Sequence, residues 1–298
     1  MRITQNMMST SVLNDLENAA NQLNLTQQRI SSGKQIQEPS DNPFGTSQAL
    51  QYDGDLAQNT QYQSNVNDAQ GWQSTVDTAL TNVNDIVLRA RDLVVQGASD
   101  TSGPSARSDI ASEIDQLVDS LKAEGNTQYS GRYVFSGTQT LTQPYQVGST
   151  NDSYAGNAGT ITREIGQGVQ VAVNVPGSTI FGDGTTGLIA TLRQISTDLR
   201  ANNGSALQNG DLTALDNAGT AISAQQATVG AMSNRLTSAT SRLQQLQQAT
   251  TQQLSNVQDA DMAQTMIDFS TQTAVYQAAL KSGAQIIQPS LMDFLAVG

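Results

Sequence analysis

Apolar residues recur at alternating three- and four-residue spacings near both ends of the chain, which is the spacing of a coiled-coil seam. Before Gly33 the sequence contains no other glycine and no proline that would interrupt a helix. The amino-terminal pattern therefore predicts one long helix that ends close to Gly33. Its apolar seam consists of Leu13, Leu16, Ala20, Leu23 and Ile30.

A second and stronger helical pattern lies in the carboxy-terminal third of the chain. Residues 231–282 contain neither glycine nor proline. A helix of that length would measure about 78 Å at ~1.5 Å per residue. Its heptad seam predicts that the first part of the helix, including Leu243 and Leu246, is buried within the monomer. The seam comprises Ile222, Val229, Met232, Leu236, Ala239, Leu243, Leu246, Thr250, Val257 and Ala260.

The heptad register breaks near Asp259 and Asp261, where a new apolar stripe begins. Ile267 and Ala274 give this last segment a second apolar side. Because a helix that is apolar on more than one side must be buried between several neighbours, we interpret the break as a border. It would separate a seam within the monomer from one made largely during assembly. The new stripe comprises Met262, Met266, Phe269, Thr273, Tyr276, Leu280, Ile287, Leu291 and Phe294.

Shorter amphipathic patterns lie between the terminal helices. They predict helices around residues 72–93, 110–121 and 188–199. Ser105, which follows a Gly-Pro turn, is a candidate cap for the second of these helices. Asp211 is a candidate cap for a further helix that runs into the long carboxy-terminal one.

The segment 138–186 differs in composition from the rest of the chain, because it is rich in glycine, serine and threonine. Strict alternation of apolar residues on both sides of Gly166-Gln167-Gly168 predicts two strands joined by a tight turn. The alternating apolar residues are Ile161, Ile165, Val169, Val171, Val173 and Val175.

These patterns together predict a mainly α protein. We expect a long, discontinuous coiled-coil or helical bundle formed by the amino- and carboxy-terminal segments, with a small β-rich insertion in the middle. Three domains are predicted. Residues 1–45 and 259–298 form a terminal coiled-coil assembly domain, 46–137 and 187–258 form a helical bundle, and 138–186 form a β-rich outer insertion.

Composition excludes several classes of function. Only 13% of the residues are charged, and the formal net charge is −12. Nucleic acid and anionic membrane surfaces are therefore unsuitable partners, since both bind basic patches. The sequence contains no cysteine and no histidine, which excludes disulfides, thiol nucleophiles and histidine bases. We expect no metal and no cofactor.

Paired aspartates and glycine turns offer weak alternatives to this view. Asp259 and Asp261, or Asp53 and Asp55, could be imagined as metal ligands or an acid–base pair. Residues two apart on a helix point in different directions, so we expect caps or solvated carboxylates instead. The two Gly-X-Gly sequences, at 166–168 and 182–184, lack the pattern of a phosphate loop and predict hairpin turns.

Two short motifs resemble the signatures of the flagellin superfamily. The first is ISSGKQI at 30–36, followed by PSDNP at 39–43, and the second is DADMA at 259–263. Local physics agrees at the first motif, because Gly33 suits the position after a helix and Asp41 or Asn42 can cap the next one. The resemblance extends over 1–145 and 205–298.

Other motifs are similar to the branch of that superfamily that joins the flagellar hook to the filament. They are NTQYSGRYVFSG at 126–137, SLMDFL at 290–295 and the opening MRI. The resemblance implies a structural, non-catalytic subunit of the flagellum. It also implies four partners: further copies of this chain in a ring-like homo-oligomer, the preceding hook-associated protein, flagellin, and a cytosolic export chaperone.

The resemblance further implies type III export to the extracellular flagellum without a cleaved signal peptide. The amino terminus lacks the apolar core of such a peptide, which fits that route. Two alternatives remain. The chain could be flagellin itself, which shares both terminal signatures, or a secreted coiled-coil effector or adhesin. An enzyme is a remote third, because the metallopeptidase inserted in some relatives needs a histidine-based zinc site that this sequence cannot supply.

We predict an assembly interface on the two terminal helices, because nothing else in the chain looks long enough to cover their apolar stripes. The predicted interface residues are Leu13, Leu16, Leu23, Ile30, Met262, Met266, Phe269, Tyr276, Leu280, Ile287, Leu291, Phe294 and Leu295.

Overall fold

The computed structural model describes the backbone at residues 5–99 and 101–295 and the side chains at 7–99 and 101–284. The chain divides into two compact units. The terminal unit comprises Met1–Ala57 and Gln247–Gly298, and the central unit comprises Gln58–Leu246.

Seven α-helices make up most of the described backbone, which confirms the mainly α prediction. They are α1 (Gln5–Ser32), α2 (Pro43–Ala98), α3 (Pro104–Gly125), α4 (Leu188–Arg200), α5 (Gly204–Ala206), α6 (Leu212–Gln258) and α7 (Met262–Leu295). A 3₁₀ turn spans Gly177–Thr179, and a π-helical turn, Leu207–Asp211, joins α5 to α6.

The helix ends of the terminal unit lie where the signature motifs predicted them. Gly33 has a φ of 70° and donates its N–H to the Arg29 carbonyl at 2.9 Å, so it ends α1 in the left-handed conformation that glycine favours. Asn42 begins α2, because its side-chain oxygen accepts the Gly45 N–H at 3.0 Å.

The long carboxy-terminal helix is interrupted, which the absence of glycine and proline did not predict. It ends at Gln258 and restarts at Met262. The carboxylate of Asp261 accepts the N–H groups of Ala263 at 2.9 Å and Gln264 at 3.2 Å, so Asp261 is the N-cap of α7. The apolar register changes here because the chain leaves the helix.

Helices α1 and α7 pack antiparallel in the terminal unit. The interruption lies beside the end of α1, where Gln35 donates its N–H to the Gln258 carbonyl at 2.7 Å and Ala260 donates to Gly33 at 2.9 Å. Near the other end of the pair, a Cβ on Gly283 would lie 3.1 Å from the Val12 methyl. Only a small residue at 283 allows this approach.

The central unit contains the main hydrophobic core. Residues of α2, α3, α4 and α6 meet there with the loop aromatics Phe135, Tyr145 and Phe181. Phe181 makes edge contacts with both of the other rings, with centroids 5.1 Å from Phe135 and 5.7 Å from Tyr145. The seams predicted at 72–93, 110–121 and 188–199 supply most of the buried helical side chains, so those helices are confirmed.

Two antiparallel hairpins belong to the central unit. Strands β1 (Gln128–Tyr129) and β2 (Arg132–Tyr133) form the first, and β3 (Thr162–Gly166) and β4 (Val169–Ala172) form the second. The second hairpin turns at the predicted position. Turns and loops make up most of the remaining residues in 138–186.

A buried ion network connects this irregular segment to the helices of the central unit. The ammonium of Lys122, a fully buried side chain, lies 2.5 Å from an oxygen of Asp152. Lys122 also donates to the carbonyl of Ser149 at 2.7 Å. Arg193 bridges Asp152 and Asp115, at 3.0 Å from each. The network anchors the 149–152 loop on α3 and α4.

The predicted helix cap at Asp211 is wrong. Helical structure begins at Gly204, and the side-chain oxygen of Asn203 accepts the Ala206 N–H at 3.3 Å. Asp211 lies inside the π-helical turn, where its Oδ2 is buried without a hydrogen-bond partner. Burial, together with the nearby Asp198 carboxylate, raises the pKa of Asp211. The sequence alone does not distinguish an aspartate that caps a helix from one that is buried inside a helical turn.

The predicted cap at Ser105 is also wrong, by a small shift in register. Helix α3 starts at Pro104, so Ser105 lies inside the first turn. Gly103 occupies the cap position and offers no side-chain oxygen. Proline suits the first helical position because its missing N–H would have no partner there.

Leu243 and Leu246 belong to the same predicted seam, but only Leu243 is buried. Its exposed fraction is 2%, and it packs with Val66 and Ile165 in a second core cluster. Leu246 is 54% exposed, which contradicts its predicted burial. The apolar partners of the seam end before that position.

Replacing Leu243 by Ala is expected to lower the free energy of unfolding by about 2–5 kcal/mol, because the change leaves a cavity in a packed cluster. The matched control, Leu246→Ala, removes the same atoms from an exposed site and should change stability by less than about 0.5 kcal/mol. Urea unfolding of both variants measures the difference. Equal destabilisation would contradict the burial of Leu243 alone.

Candidate assembly surface

The terminal unit exposes many of its large apolar side chains and fully buries very few of them. Among the described residues of this unit, the buried hydrophobic ones are Ile36 and Ala49, whereas the central unit buries dozens of such side chains. Such a concentration of exposed apolar side chains in one unit indicates an interaction site. The exposed residues are Met7, Met8, Leu13, Leu25, Phe44, Leu50, Met262, Met266, Ile267, Val275 and Leu280.

Small residues are among the buried positions of α1 and α7. Thr26 on α1 and Thr265 on α7 are buried, and each hydroxyl donates to a carbonyl one turn back in its own helix. Gly283 lies against Val12. The fully buried positions of the two helices are thus small, whereas their long apolar side chains are exposed or half-buried.

Nine of the predicted interface residues have described side chains. Leu13, Met262, Met266 and Leu280 are exposed. Five others, Leu16, Leu23, Ile30, Phe269 and Tyr276, are half-buried. The side chains of Ile287, Leu291, Phe294 and Leu295 lie outside the described residues, although α7 runs through these positions. Their assignment to an interface stays a prediction.

Sequence reasoning missed two of the most exposed apolar side chains, Phe44 and Leu50. Phe44 is 72% exposed, and both residues lie in the first turns of α2. The predicted seam of that helix starts at residue 72, after both of them. A signal was present, because Phe44 is an aromatic residue directly after the polar PSDNP motif.

The turn between α1 and α2 is held in one conformation by hydrogen bonds. The carboxylate of Asp41 accepts the N–H groups of Gln37 and Glu38, each at 3.1 Å. These two hydrogen bonds lower the pKa of Asp41. A Cβ on Gly45 would lie 2.6 Å from the buried Ile36 side chain, so glycine is needed for this packing. The turn therefore presents Phe44 from a defined backbone.

Amide and hydroxyl side chains line two shallow grooves of the terminal unit. One groove of about 580 Å³ lies along α1, and another of about 560 Å³ lies along residues 247–259. Such side chains can both donate and accept hydrogen bonds without introducing charge. Their linings are Asn24, Gln27, Gln28, Ser31, Ser32 and Gln37 in the first, and Gln247, Gln248, Thr251, Gln252, Ser255 and Asp259 in the second.

The paired aspartates do not converge on a common ion. Asp261 caps α7, and Asp259 accepts the Ser255 hydroxyl at 2.6 Å, so the expectation that Asp261 is a cap is confirmed. Within the described part of the chain, no group of three carboxylate, histidine or cysteine side chains is placed to hold a metal ion. The described helices also include none with the length and hydropathy needed to cross a membrane.

Two family models match the chain, and together they cover most of it. The bacterial flagellin N-terminal helical region matches residues 3–140, and the bacterial flagellin C-terminal helical region matches residues 212–295. The chain belongs to the flagellin family, whose members are structural proteins of the bacterial flagellum. This confirms the resemblance of the two terminal signatures.

Individual relatives include both branches of the family. The chain is 27% identical over 191 residues to flagellar hook-associated protein 3 of Escherichia coli, covering 64% of this chain and 60% of that protein. It therefore spans about three-fifths of the length of such relatives. It is also 27% identical over 306 residues to the flagellin of Bacillus subtilis, covering 97% of each.

Solved structures share the fold. Flagellar hook-associated protein 3 of Legionella pneumophila is similar with a TM-score of 0.63 at 16% identity, covering 70% of this chain and 98% of that one. The protein called FlgL of Bacillus cereus is similar with a TM-score of 0.59 at 21% identity, covering 69% and 99%. At these identities the likeness establishes the fold.

Proposed function

We propose that this chain is the structural subunit that joins the flagellar hook to the flagellin filament. The observation that carries the proposal is the exposed apolar surface of the terminal unit, in a member of a family of flagellar structural proteins. Relatives named hook-associated protein 3 and the motif at 126–137 favour the junction branch of that family. The role is mechanical, and no reaction or cofactor is involved.

Burial of the terminal unit's apolar side chains would drive incorporation. Each square ångström of apolar surface removed from water is worth about 25 cal/mol, and this gain from several large side chains would offset the entropy lost on association. The predicted interface residues on α1 and α7 would meet neighbouring subunits there. The amide-lined grooves would add hydrogen bonds without accumulating repulsion between chains of the same negative charge.

A subunit that lies between hook and filament would contact both structures and further copies of itself. Copies of this chain would form a ring, with the preceding hook-associated protein on one side and flagellin on the other. Before export, a cytosolic chaperone would cover the apolar ends of the chain. Export through the flagellar type III channel to the cell exterior completes the proposal. Nucleic acid and membrane are not partners.

Flagellin itself is the second candidate, and one observation favours it. The match to Bacillus subtilis flagellin extends over 97% of both chains, whereas the match to hook-associated protein 3 covers a shorter region. The two roles differ in a measurable way, because flagellin polymerises on its own filament ends and a junction subunit stops after a short layer.

Deleting the gene for this chain separates the two roles. A junction subunit predicts cells that still bear hooks and shed unpolymerised flagellin into the medium, with recovery of filaments when the gene is restored. Electron microscopy and immunoblotting of the medium measure this. Flagellin absent from both medium and surface in the deletion strain, together with long filaments grown from the purified chain, would identify the chain as flagellin and overturn the proposal.

A further inference from the structure

A cavity of about 320 Å³ lies in the central unit, outside the candidate assembly surface of the terminal unit. Its volume falls within the range of ligand pockets, roughly 300–1,000 Å³. Its lining combines two aromatic residues, two arginines, an aspartate and a serine. These residues are Asp68, Trp72, Tyr129, Ser130, Arg132 and Arg163.

The first hairpin fixes one wall of this cavity. Ser130 and Gly131 both have positive φ values, 48° and 76°, which gives the tight two-residue turn typical of hairpins. The turn pairs Tyr129 directly with Arg132. A Cβ on Gly71 would lie 2.3 Å from the Tyr129 hydroxyl oxygen, so the glycine allows this ring to lie close against α2.

Trp72 lines the cavity, and its indole N–H lacks a hydrogen-bond acceptor. The residue is 2% exposed, and its Nε1–H has no hydrogen-bond partner in the protein. Its ring meets Tyr129 edge-on at a centroid distance of 6.1 Å. An indole N–H can only donate, and this one is shielded from solvent, so an acceptor that enters the cavity would reach it through a small displacement of the ring.

The charges of the lining favour an anion. Arg163 donates from Nε to Asp68 at 2.9 Å, which neutralises one guanidinium. Arg132 forms no ion pair with any described residue, so the lining carries an excess positive charge. This stands out in a chain with a net charge of −12. Guanidinium groups pair with carboxylates through two parallel hydrogen bonds.

We infer that this cavity binds a carboxylate group, which accepts hydrogen bonds from Arg132 and the Trp72 indole. The carboxylate belongs either to a small free acid or to an acidic side chain of a second copy of this chain. Both sources present the same chemistry to the cavity. The inference is independent of the hook–filament role, because none of the lining residues belongs to the terminal unit.

Trp72 is the single tryptophan of the chain, so its fluorescence reports on the cavity directly. Titrating the full chain with sodium succinate, with sodium chloride added to hold ionic strength constant, should give a saturable change in emission. Arg132→Gln should weaken the apparent affinity by about ten-fold or more, because it removes the unpaired guanidinium. Arg89→Gln is the matched control: Arg89 is an exposed arginine of α2 that pairs with Glu113 outside the cavity, and its loss should leave the affinity unchanged.

A second measurement protects the test against changes in folding. Calorimetric titration of Trp72→Phe, whose melting temperature is measured first, should show weaker succinate binding than the natural chain. Sedimentation velocity distinguishes the two sources. Self-association that succinate reverses identifies an acidic side chain of a second copy, and a monomer that still binds succinate identifies a free acid. No saturable signal, or equal binding by Arg132→Gln and the natural chain, would overturn the inference.

Discussion

Asp152→Ala is expected to lower the free energy of unfolding by about 3–5 kcal/mol, since it leaves a charged group buried without its partner. The side chain of Lys122 is fully buried, and Asp152 is the carboxylate closest to its ammonium. After the substitution, Lys122 retains only backbone carbonyls such as that of Ser149. Arg193 also loses one of its two carboxylate partners. Urea unfolding at neutral pH, followed by circular dichroism, measures the loss.

An exposed ion pair of the central unit provides the control. Arg89 and Glu113 form a short contact, but their side chains are 55% and 42% exposed. Replacing Arg89 by Ala should change the free energy of unfolding by no more than about 1 kcal/mol, because solvent screens the pair. If Asp152→Ala and Arg89→Ala lowered the free energy of unfolding equally, the ion pair between Lys122 and Asp152 would not stabilise the fold as proposed.

The pH dependence of the same network gives a second readout. Burial raises the pKa of Asp152, but hydrogen bonds from Arg193 and Lys122 outweigh it and lower the pKa below its usual range. A lowered pKa means that the unfolded chain takes up the proton first as pH falls. The network therefore stabilises the fold above about pH 4, the usual aspartate value, and the contribution is lost in more acidic solution. The difference in stability between the natural chain and Asp152→Ala should shrink there.

Local signals predicted the elements of this fold well. Gly33, Asn42 and Asp261 lie at helix ends because each satisfies, or allows, hydrogen bonds of the backbone within a few residues of itself. The second hairpin follows from alternation and glycine for the same reason. Such features depend on neighbours in sequence, so a sequence contains the information needed to find them.

Features that depend on distant partners were not predicted. Leu243 and Leu246 are equivalent in the heptad pattern, yet only Leu243 meets the second hairpin and residues of α2. The Lys122–Asp152 pair joins residues thirty apart through an irregular loop that no periodicity describes. Tertiary contact decided both of these cases. Asp211 looks like a cap, although the helix already begins at Gly204, where Asn203 caps it.

The candidate assembly surface was predicted in part. The stripes on α1 and α7 identified helices whose apolar residues are exposed or half-buried, because a seam without a partner in the sequence is visible as a pattern. The pattern could not separate residues of the α1–α7 contact from exposed ones. Gly283, which lies against Val12 on the other helix, and the buried Thr26 and Thr265 carry no apolar signal. The exposure of Phe44 depends on the turn geometry and required the structure.

Replacing Met266 and Leu280 together by Ser is expected to abolish filament attachment while leaving the melting temperature of the monomer nearly unchanged. The two side chains are 56% and 44% exposed on α7, so little monomer packing is lost. In the assembly they would be covered, and each polar replacement would remove about 1.5–3 kcal/mol of burial at every subunit contact. Swimming assays and immunoblots of shed flagellin, in a deletion strain expressing the variant, measure the defect.

The matched control for this experiment replaces Leu141 and Leu246 by Ser. Both are exposed leucines of the central unit, outside the predicted interface. Their replacement changes surface hydropathy by a comparable amount, so it reproduces any general effect on solubility or export. The control strain should swim and carry normal filaments. The prediction is wrong if the two double variants behave alike, whether both swim or both shed flagellin. Incorporation would then not depend on where the apolar side chains lie, and the α7 surface would have no specific role in assembly.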